Sequence, residues 1–227
     1  MLINENKYEE IRKQLEPQDV VLVAVSKTKP VEAIRELYNL GHRDFGENYV
    51  QELADKQAQL PSDIHWHFIG HLQSNKVKYI APFVHLIHGV DSEKLLKEIN
   101  KQAFKAGRVL DVLLQVHIAQ EETKFGFDSA ELEALFSSGA ADLQGLKNVR
   151  ISGFMGMASF TDNHEQVRKE FATLKGLFDR YKRPAAANVN LSILSMGMSG
   201  DYTIAIEEGS TMVRIGSLIF GERIYAA

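Results

Sequence analysis

Short apolar runs alternate along this chain with stretches whose apolar residues recur at helical spacing. The runs cover residues 20–25, 43–46, 64–69, 84–88, 109–116, 150–155, 190–194 and 211–215, and each reads as a strand. Several are apolar at consecutive positions rather than alternating, Val109-Leu110-Asp111-Val112-Leu113-Leu114 most clearly. Strands buried on both faces read this way, as in a parallel sheet covered by helices. Between the runs, Val31, Ile34, Leu37 and Tyr38 share one helical face, with Pro30 suited to the first turn and Gly41 to the exit. Val167, Phe171, Leu174 and Phe178 repeat at helical spacing behind Asp162 and Glu165, which are placed as a helix start. Asp91-Ser92 likewise precedes Leu95, Ile99 and Ala103. Strands and helices alternating in this way predict an α/β fold, a single (β/α)8 TIM-type barrel domain over residues 1–227, with a doubly wound sheet as the alternative. Residues 4–14 form an extra N-terminal helix ahead of strand one, and the short remainder after strand eight leaves no room for a second domain.

Composition narrows the function classes. Of 227 residues, 44% are hydrophobic and 25% charged, which is ordinary for a globular chain and excludes a disordered one. The longest clean apolar run, residues 20–25, falls far short of the ~20 residues that span a bilayer. The opening Met1-Leu2-Ile3-Asn4-Glu5 lacks the basic and apolar regions of a secretory signal, so a cytoplasmic protein is expected. The absence of cysteine excludes disulfides, Cys-ligated zinc, iron–sulfur clusters and thiol nucleophiles. A net charge of −4 without a Lys/Arg block argues against a nucleic-acid surface.

Working residues in a barrel sit at the C-terminal ends of the strands and in the loops that follow. Strand one ends in Ser26-Lys27-Thr28-Lys29-Pro30, which brings Lys27 to the mouth. Desolvation and the neighbouring Lys29 would both lower its pKa and make the amine nucleophilic; a solvated loop lysine is the plainer reading. Strand seven leads into Ser195-Met196-Gly197-Met198-Ser199-Gly200-Asp201, and strand eight ends in Arg214-Ile215-Gly216-Ser217. Small residues and hydroxyls before a helix suit an anion, and the loops after strands seven and eight are the usual phosphate site of this fold. Ordinary tight turns remain the competing explanation. Gly46-Glu47-Asn48 puts a carboxylate and an amide at the mouth, unless the two simply start the next helix. His65 and His67 share a strand face but have no acid nearby in sequence, so core or hydrogen-bonding roles are favoured over a metal. Met155, Met157, Met196 and Met198 read as core or pocket filler.

Four stretches resemble a known family: Ala24-Val25-Ser26-Lys27, Gly46-Glu47-Asn48-Tyr49, the run from Trp66 to Lys76, and Leu194-Ser195-Met196-Gly197-Met198-Ser199. Gly209 to Gly216 and Ile219-Phe220-Gly221 continue the match. The chain is similar to the pyridoxal 5′-phosphate homeostasis proteins, single-domain relatives of the alanine racemase barrel. That resemblance implies pyridoxal 5′-phosphate as cofactor, held as an internal aldimine on Lys27. It further implies phosphate binding by Ser195, Ser199, Gly216 and Ser217, Asn48 near the ring hydroxyl, and Arg214 by the pyridine nitrogen.

A guanidinium at that nitrogen disfavours its protonation and weakens the cofactor as an electron sink. Racemases add a second, β-rich domain carrying a tyrosine base and much of a dimer interface. Here only the tail 222–227 follows, with Tyr225 as its one tyrosine, so a monomer is expected. The expected function is a carrier that binds the cofactor reversibly and serves vitamin B6 and amino-acid homeostasis, with apo-enzymes as transient partners and neither nucleic acid nor membrane. A low-efficiency amino-acid racemase and a cofactor-free Schiff-base aldolase are the alternatives.

Overall fold

The structure, a computed structural model, describes residues 2–121, 125–137, 140–183 and 186–222; Tyr225 lies outside them. The chain opens with helix α1 (Glu5–Leu15), and eight strands follow with helices between them. They are β1 (Val21–Val25), α2 (Val31–Asn39), β2 (Asp44–Glu47), α3 (Val50–Gln57), β3 (His65–Phe68), α4 (Val77–Ile80), β4 (Leu86–Val90) and α5 (Glu93–Lys105). The second half continues with β5 (Leu110–Gln115), α6 (Ser129–Phe136), α7 (Ala140–Gly145), β6 (Val149–Met155), α8 (His164–Tyr181), β7 (Val189–Met198), α9 (Tyr202–Glu207), β8 (Met212–Ile215) and α10 (Ser217–Phe220). All neighbouring strands are parallel, and β1 pairs with β8 to close the barrel. The closed barrel is the predicted fold, and the doubly wound alternative falls away.

The helices bury the faces their periodicity marked. Ala33, Ile34 and Leu37 of α2, Leu95, Leu96, Ile99 and Ala103 of α5, and Val167, Phe171, Leu174 and Phe178 of α8 pack into the layer between helices and sheet. Burying each of the Val, Leu, Ile and Phe side chains among them stabilises the fold by about 1.5–3 kcal/mol. Side chains cap α5 and α8: Ser92 accepts from Leu95 N, and Asn163 accepts from Gln166 N. Inside the barrel a second, smaller cluster forms from Val23, Leu86, Leu113, Met155 and Met212, so the interior is packed side chain rather than pore.

Most strands differ from their expected spans by a residue or two at an end, and β7 departs furthest. β7 continues to Met198 instead of ending at Leu194. Gly197, at φ +95°, sits where the β7–β8 register shifts between Ser195 and Met198. A residue without a Cβ allows the extra residue of that bulge.

Candidate functional site

Alternate residues of each strand face the barrel interior. On β1 the interior residue Val23 is followed by Val25 and, two positions on, by Lys27. The same counting brings Asn48 after Gly46, Ile69 after His67 and Gly216 after Arg214. These residues line one cavity of about 510 Å³ at the C-terminal mouth, together with Lys29, Met157, Met198, Ser199 and Ser217. Lys27 is half-buried there. Lys29 donates from Nζ to Glu222 O at 2.9 Å. The side-chain oxygen Oδ1 of Asn48 is buried and has no hydrogen-bond partner among the described residues. On the opposite wall, the Gly216 N–H points at Ser199 Oγ over a loose 3.4 Å. A Cβ on Gly216 would come within 3.1 Å of Val25 O, so a glycine lets β8 and β1 approach there.

Arg214 forms the floor. It is buried, donating from Nη1 to Ser195 O at 2.8 Å and Ser195 Oγ at 2.7 Å, and from Nη2 to Gly156 O at 3.0 Å. These three acceptors are neutral. Burial pulls the guanidinium down to about 10, which leaves it charged at neutral pH. Ser195 itself is fully buried on the extended β7 and does not line the cavity. Its expected place in the turn after strand seven is therefore corrected: the strand runs past it, and Ser199 is the hydroxyl that reaches the mouth.

Glu47 also departs from its expected place. Its parity is opposite to that of Asn48, so its side chain enters the layer between sheet and helices. There Glu47 Oε1 accepts from Ser26 Oγ at 2.6 Å and from Lys56 Nζ at 2.7 Å. Lys56, on α3, also donates to Ser26 O at 2.8 Å and Glu52 Oε1 at 2.7 Å. Glu47 Oε2 is buried without a partner among the described residues. Burial outweighs the Lys56 charge and raises the Glu47 carboxyl to about 6. The network braces the loop that carries Lys27. Glu52 Oε1 accepts from Thr28 N at 2.6 Å, and Thr28 is held at φ +62°, a conformation that a β-branched residue adopts only under constraint.

The opposite mouth holds a larger cavity, about 700 Å³, lined by Asp44, His65, His67, His85, Asp111 and Arg150 among others. Asp44, from the neighbouring strand, is the acid that the histidine pair lacked in sequence. Its Oδ1 lies 3.0 Å from His67 Nε2 and 3.2 Å from His65 Nδ1. Even so, no three His, Asp or Glu among the described residues are arranged to hold a metal ion. His67 Nδ1 lies 2.9 Å from His88 Nε2, and His88 Nδ1 lies 3.1 Å from Ser195 Oγ. Sequence reading missed Asp44, His88 and Lys56. Strand parity was an available signal for the first two, since both fall on interior positions, while Lys56 is brought in only by the packing of α3.

Comparison with known proteins agrees with this architecture. The family described as alanine racemase, N-terminal domain, matches residues 4–224. A pyridoxal phosphate homeostasis protein of Aquifex aeolicus is 48% identical over 205 residues, covering 90% of this chain and 87% of that protein. PipY of Synechococcus elongatus, solved with pyridoxal phosphate bound, superposes with a TM-score of 0.85 at 37% identity, covering 95% of this chain and 99% of PipY. The same protein without pyridoxal phosphate gives a TM-score of 0.88 at 38% identity over the same shares. No helix among the described residues is long and apolar enough to cross a membrane. With a racemase-type barrel, a match along nearly its whole length and this degree of identity, the chain belongs to the pyridoxal phosphate homeostasis proteins of the alanine racemase N-terminal domain family.

Proposed function

We propose that this chain binds pyridoxal 5′-phosphate at the C-terminal mouth and holds it reversibly as a Schiff base on Lys27, as a cytoplasmic carrier serving vitamin B6 and amino-acid homeostasis. What carries this reading is the convergence of Lys27, Asn48, Ser199, Arg214, Gly216 and Ser217 on one cavity. The residues fit the group. Val25, Ile69, Met157 and Met198 give apolar walls for a ring, and the cavity lies within the ~300–1,000 Å³ usual for small ligands. The unpartnered Asn48 Oδ1 suits a ring hydroxyl as donor. Ser199 Oγ–H and the backbone N–H groups of Gly216 and Ser217 suit the phosphate, since first-turn N–H groups of a helix have no partner within it. Arg214, on the cavity floor, would lie by the ring nitrogen.

Bound there, the cofactor supplies an aldehyde that exchanges with amines and a conjugated ring that accepts electrons. The protein's part is restrained. Lys27 contributes the amine, and the loop braced by Glu52 and Lys56 fixes its backbone. The Arg214 charge disfavours a proton on the ring nitrogen and so limits the ring as an electron sink. Among the described residues that line the cavity there is no tyrosine or histidine to serve a second face of a substrate. Lys29 and Asp201 are the other ionisable groups on the lining; losing the tyrosine that racemases position for this role is expected to cost ~10²–10⁴-fold in rate. Reversible binding and transfer to apo-enzymes need neither feature.

The family's kinship with alanine racemase favours one alternative, a low-efficiency amino-acid racemase. Borohydride reduction followed by peptide mass mapping tests the main reading: a phosphopyridoxyl group on Lys27 supports it, and one found mainly on Lys29 or Lys76 overturns it. Chiral chromatography of L- and D-alanine tests the alternative. A Lys27-dependent turnover in the ordinary enzyme range, roughly 1–10³ per second, would replace the carrier with an enzyme.

A further inference from the structure

A line of hydrogen-bonding groups crosses the barrel from one mouth to the other. Asp44 opens on the cavity at the base. From its Oδ1 the line passes through His67, His88 and Ser195 Oγ to Arg214 Nη1, with separations of 3.0, 2.9, 3.1 and 2.7 Å. His67, His88, Ser195 and Arg214 are all buried, in an interior otherwise filled by Val23, Leu86, Leu113, Met155 and Met212.

The ends determine the direction of every link. A carboxylate only accepts, so His67 carries its proton on Nε2 and presents a lone pair at Nδ1. His88 must then donate from Nε2, which leaves Nδ1 to accept from the Ser195 hydroxyl. With its proton committed to His88, the Ser195 oxygen turns its lone pairs to the guanidinium, which can only donate. Neutral imidazoles in the Nε2–H form satisfy every contact. A proton added to His67 would reverse the two links beyond it and leave the Ser195 hydroxyl hydrogen without its acceptor.

We propose that His67 and His88 are positioning residues for Arg214, acting through the orientation of the Ser195 hydroxyl. The proposal rests on the reading that Arg214 faces the ring of a bound pyridoxal phosphate. It gives His67 a specific form of the hydrogen-bonding role expected from sequence and extends it to His88. They aim the guanidinium from behind, where a direct carboxylate partner would neutralise its charge. The imidazole pair carries that orientation through the interior without bringing a net charge beside it.

Two measurements test the proposal, the first without cofactor. In ¹⁵N-histidine-labelled wild-type protein at neutral pH, long-range nitrogen–proton spectra should show His67 and His88 as neutral Nε2–H tautomers. Either residue found as the Nδ1–H tautomer or as the imidazolium overturns the proposal. The second measurement titrates pyridoxal phosphate and records the visible band. His88→Leu should weaken binding about tenfold, the scale of one hydrogen bond to a charged group, and shift the band while the adduct still maps to Lys27. His88→Gln, which keeps a donor and an acceptor on one side chain, should restore both toward wild type. Equal behaviour of the Leu and Gln variants, whether both normal or both impaired, overturns the proposal. If His88→Leu does not fold, Asp44→Ala at the solvent-facing end substitutes for it, with about threefold weaker binding expected and unchanged binding overturning the idea. Wild-type protein that takes up no pyridoxal phosphate overturns the reading of the cavity itself. Wrong tautomers with normal uptake overturn only the positioning role.

Discussion

On the proposed reading, the two mouths of this barrel invert the usual guess that the larger hole is the working one. The cavity at the base is about 700 Å³ and the one at the C-terminal mouth about 510 Å³. At the base, polar groups already satisfy one another. Asp111 takes both Arg150 Nε at 2.5 Å and Arg150 Nη2 at 2.6 Å and also accepts from Ser152 Oγ, while Asp44 is shared by two histidines. At the other mouth, an amide oxygen lacks a partner among the described residues, an N–H is loosely engaged and the walls are largely apolar. Unspent hydrogen-bonding capacity beside apolar surface marks a ligand site better than volume does. The barrel's division of labour follows: strand starts knit the fold together, and strand ends carry chemistry.

The sharpest way to break this contrast is to remove one nitrogen-bearing side chain from each end. Lys27→Ala should abolish the reducible visible band completely with the unfolding midpoint unchanged, whereas His65→Ala at the base should leave the band in place. Absorbance before and after borohydride decides both. A base variant that loses the band would move the site.

Next in size is the charge network behind the lysine loop. Lys56→Met leaves the Glu47 carboxyl buried without its cation, and breaking such a pair costs about 3–5 kcal/mol. The Arg150–Asp111 pair at the base is far more exposed, with about half of the Arg150 side chain open to solvent, so Arg150→Met should cost only about 0–1 kcal/mol. Urea unfolding of both variants measures the difference.

Acid separates the two regions by sign. His42, at the base-side entry to β2, is pulled by burial from 6.5 to about 4. Its folded state binds fewer protons than the unfolded chain between those values, so stability is lost as pH falls from 6.5 to 4. Wild type should lose about 3 kcal/mol more over that range than His42→Gln. Glu47 is raised from 4.5 to about 6, and its folded state binds more protons than the unfolded chain across that window. Relative to Glu47→Gln, wild type should therefore gain about 2 kcal/mol as pH falls from 6 to 4.5. Unfolding curves at four pH values resolve the opposite slopes, and parallel curves would refute the burial argument.

The smallest effect tests the phosphate assignment. Ser199→Ala should weaken pyridoxal phosphate about tenfold or more, from the loss of a hydrogen bond worth about 1.5–3 kcal/mol. Pyridoxal, which lacks the phosphate, should bind poorly to wild type and show no further loss in the variant. Equal affinities for the two aldehydes would place the phosphate elsewhere.

The barrel was legible because strands buried on both faces read as continuous apolar runs, a signal that needs no partner to be seen. Lys27, Asn48 and Gly216 could be placed at the mouth because they fall just past strand ends, while the role expected of Asn48 came from the family resemblance alone. Ser195 was misread because Ser-Met-Gly-Met looks like a turn, whereas Gly197 instead makes a bulge that prolongs the strand. Glu47 was misread by a single step of the pleat. The trans-barrel line was invisible for another reason: its members come from strands β2, β3, β4, β7 and β8, and nothing local in the sequence says which imidazole meets which hydroxyl.

Closure of β1 against β8 has a consequence for the newly made chain. Lys27 is made well before Arg214 and Gly216. At ~5–20 residues per second, the first half of the mouth waits on the order of ten seconds or more for the second. The register that sets Val23 beside Arg214 and Ala24 beside Ile215 exists only after that wait, because no earlier strand can complete the ring. Any ligand gripped from both sides therefore finds no site on a nascent chain. Its uptake would report that β8 has been made and has closed on β1.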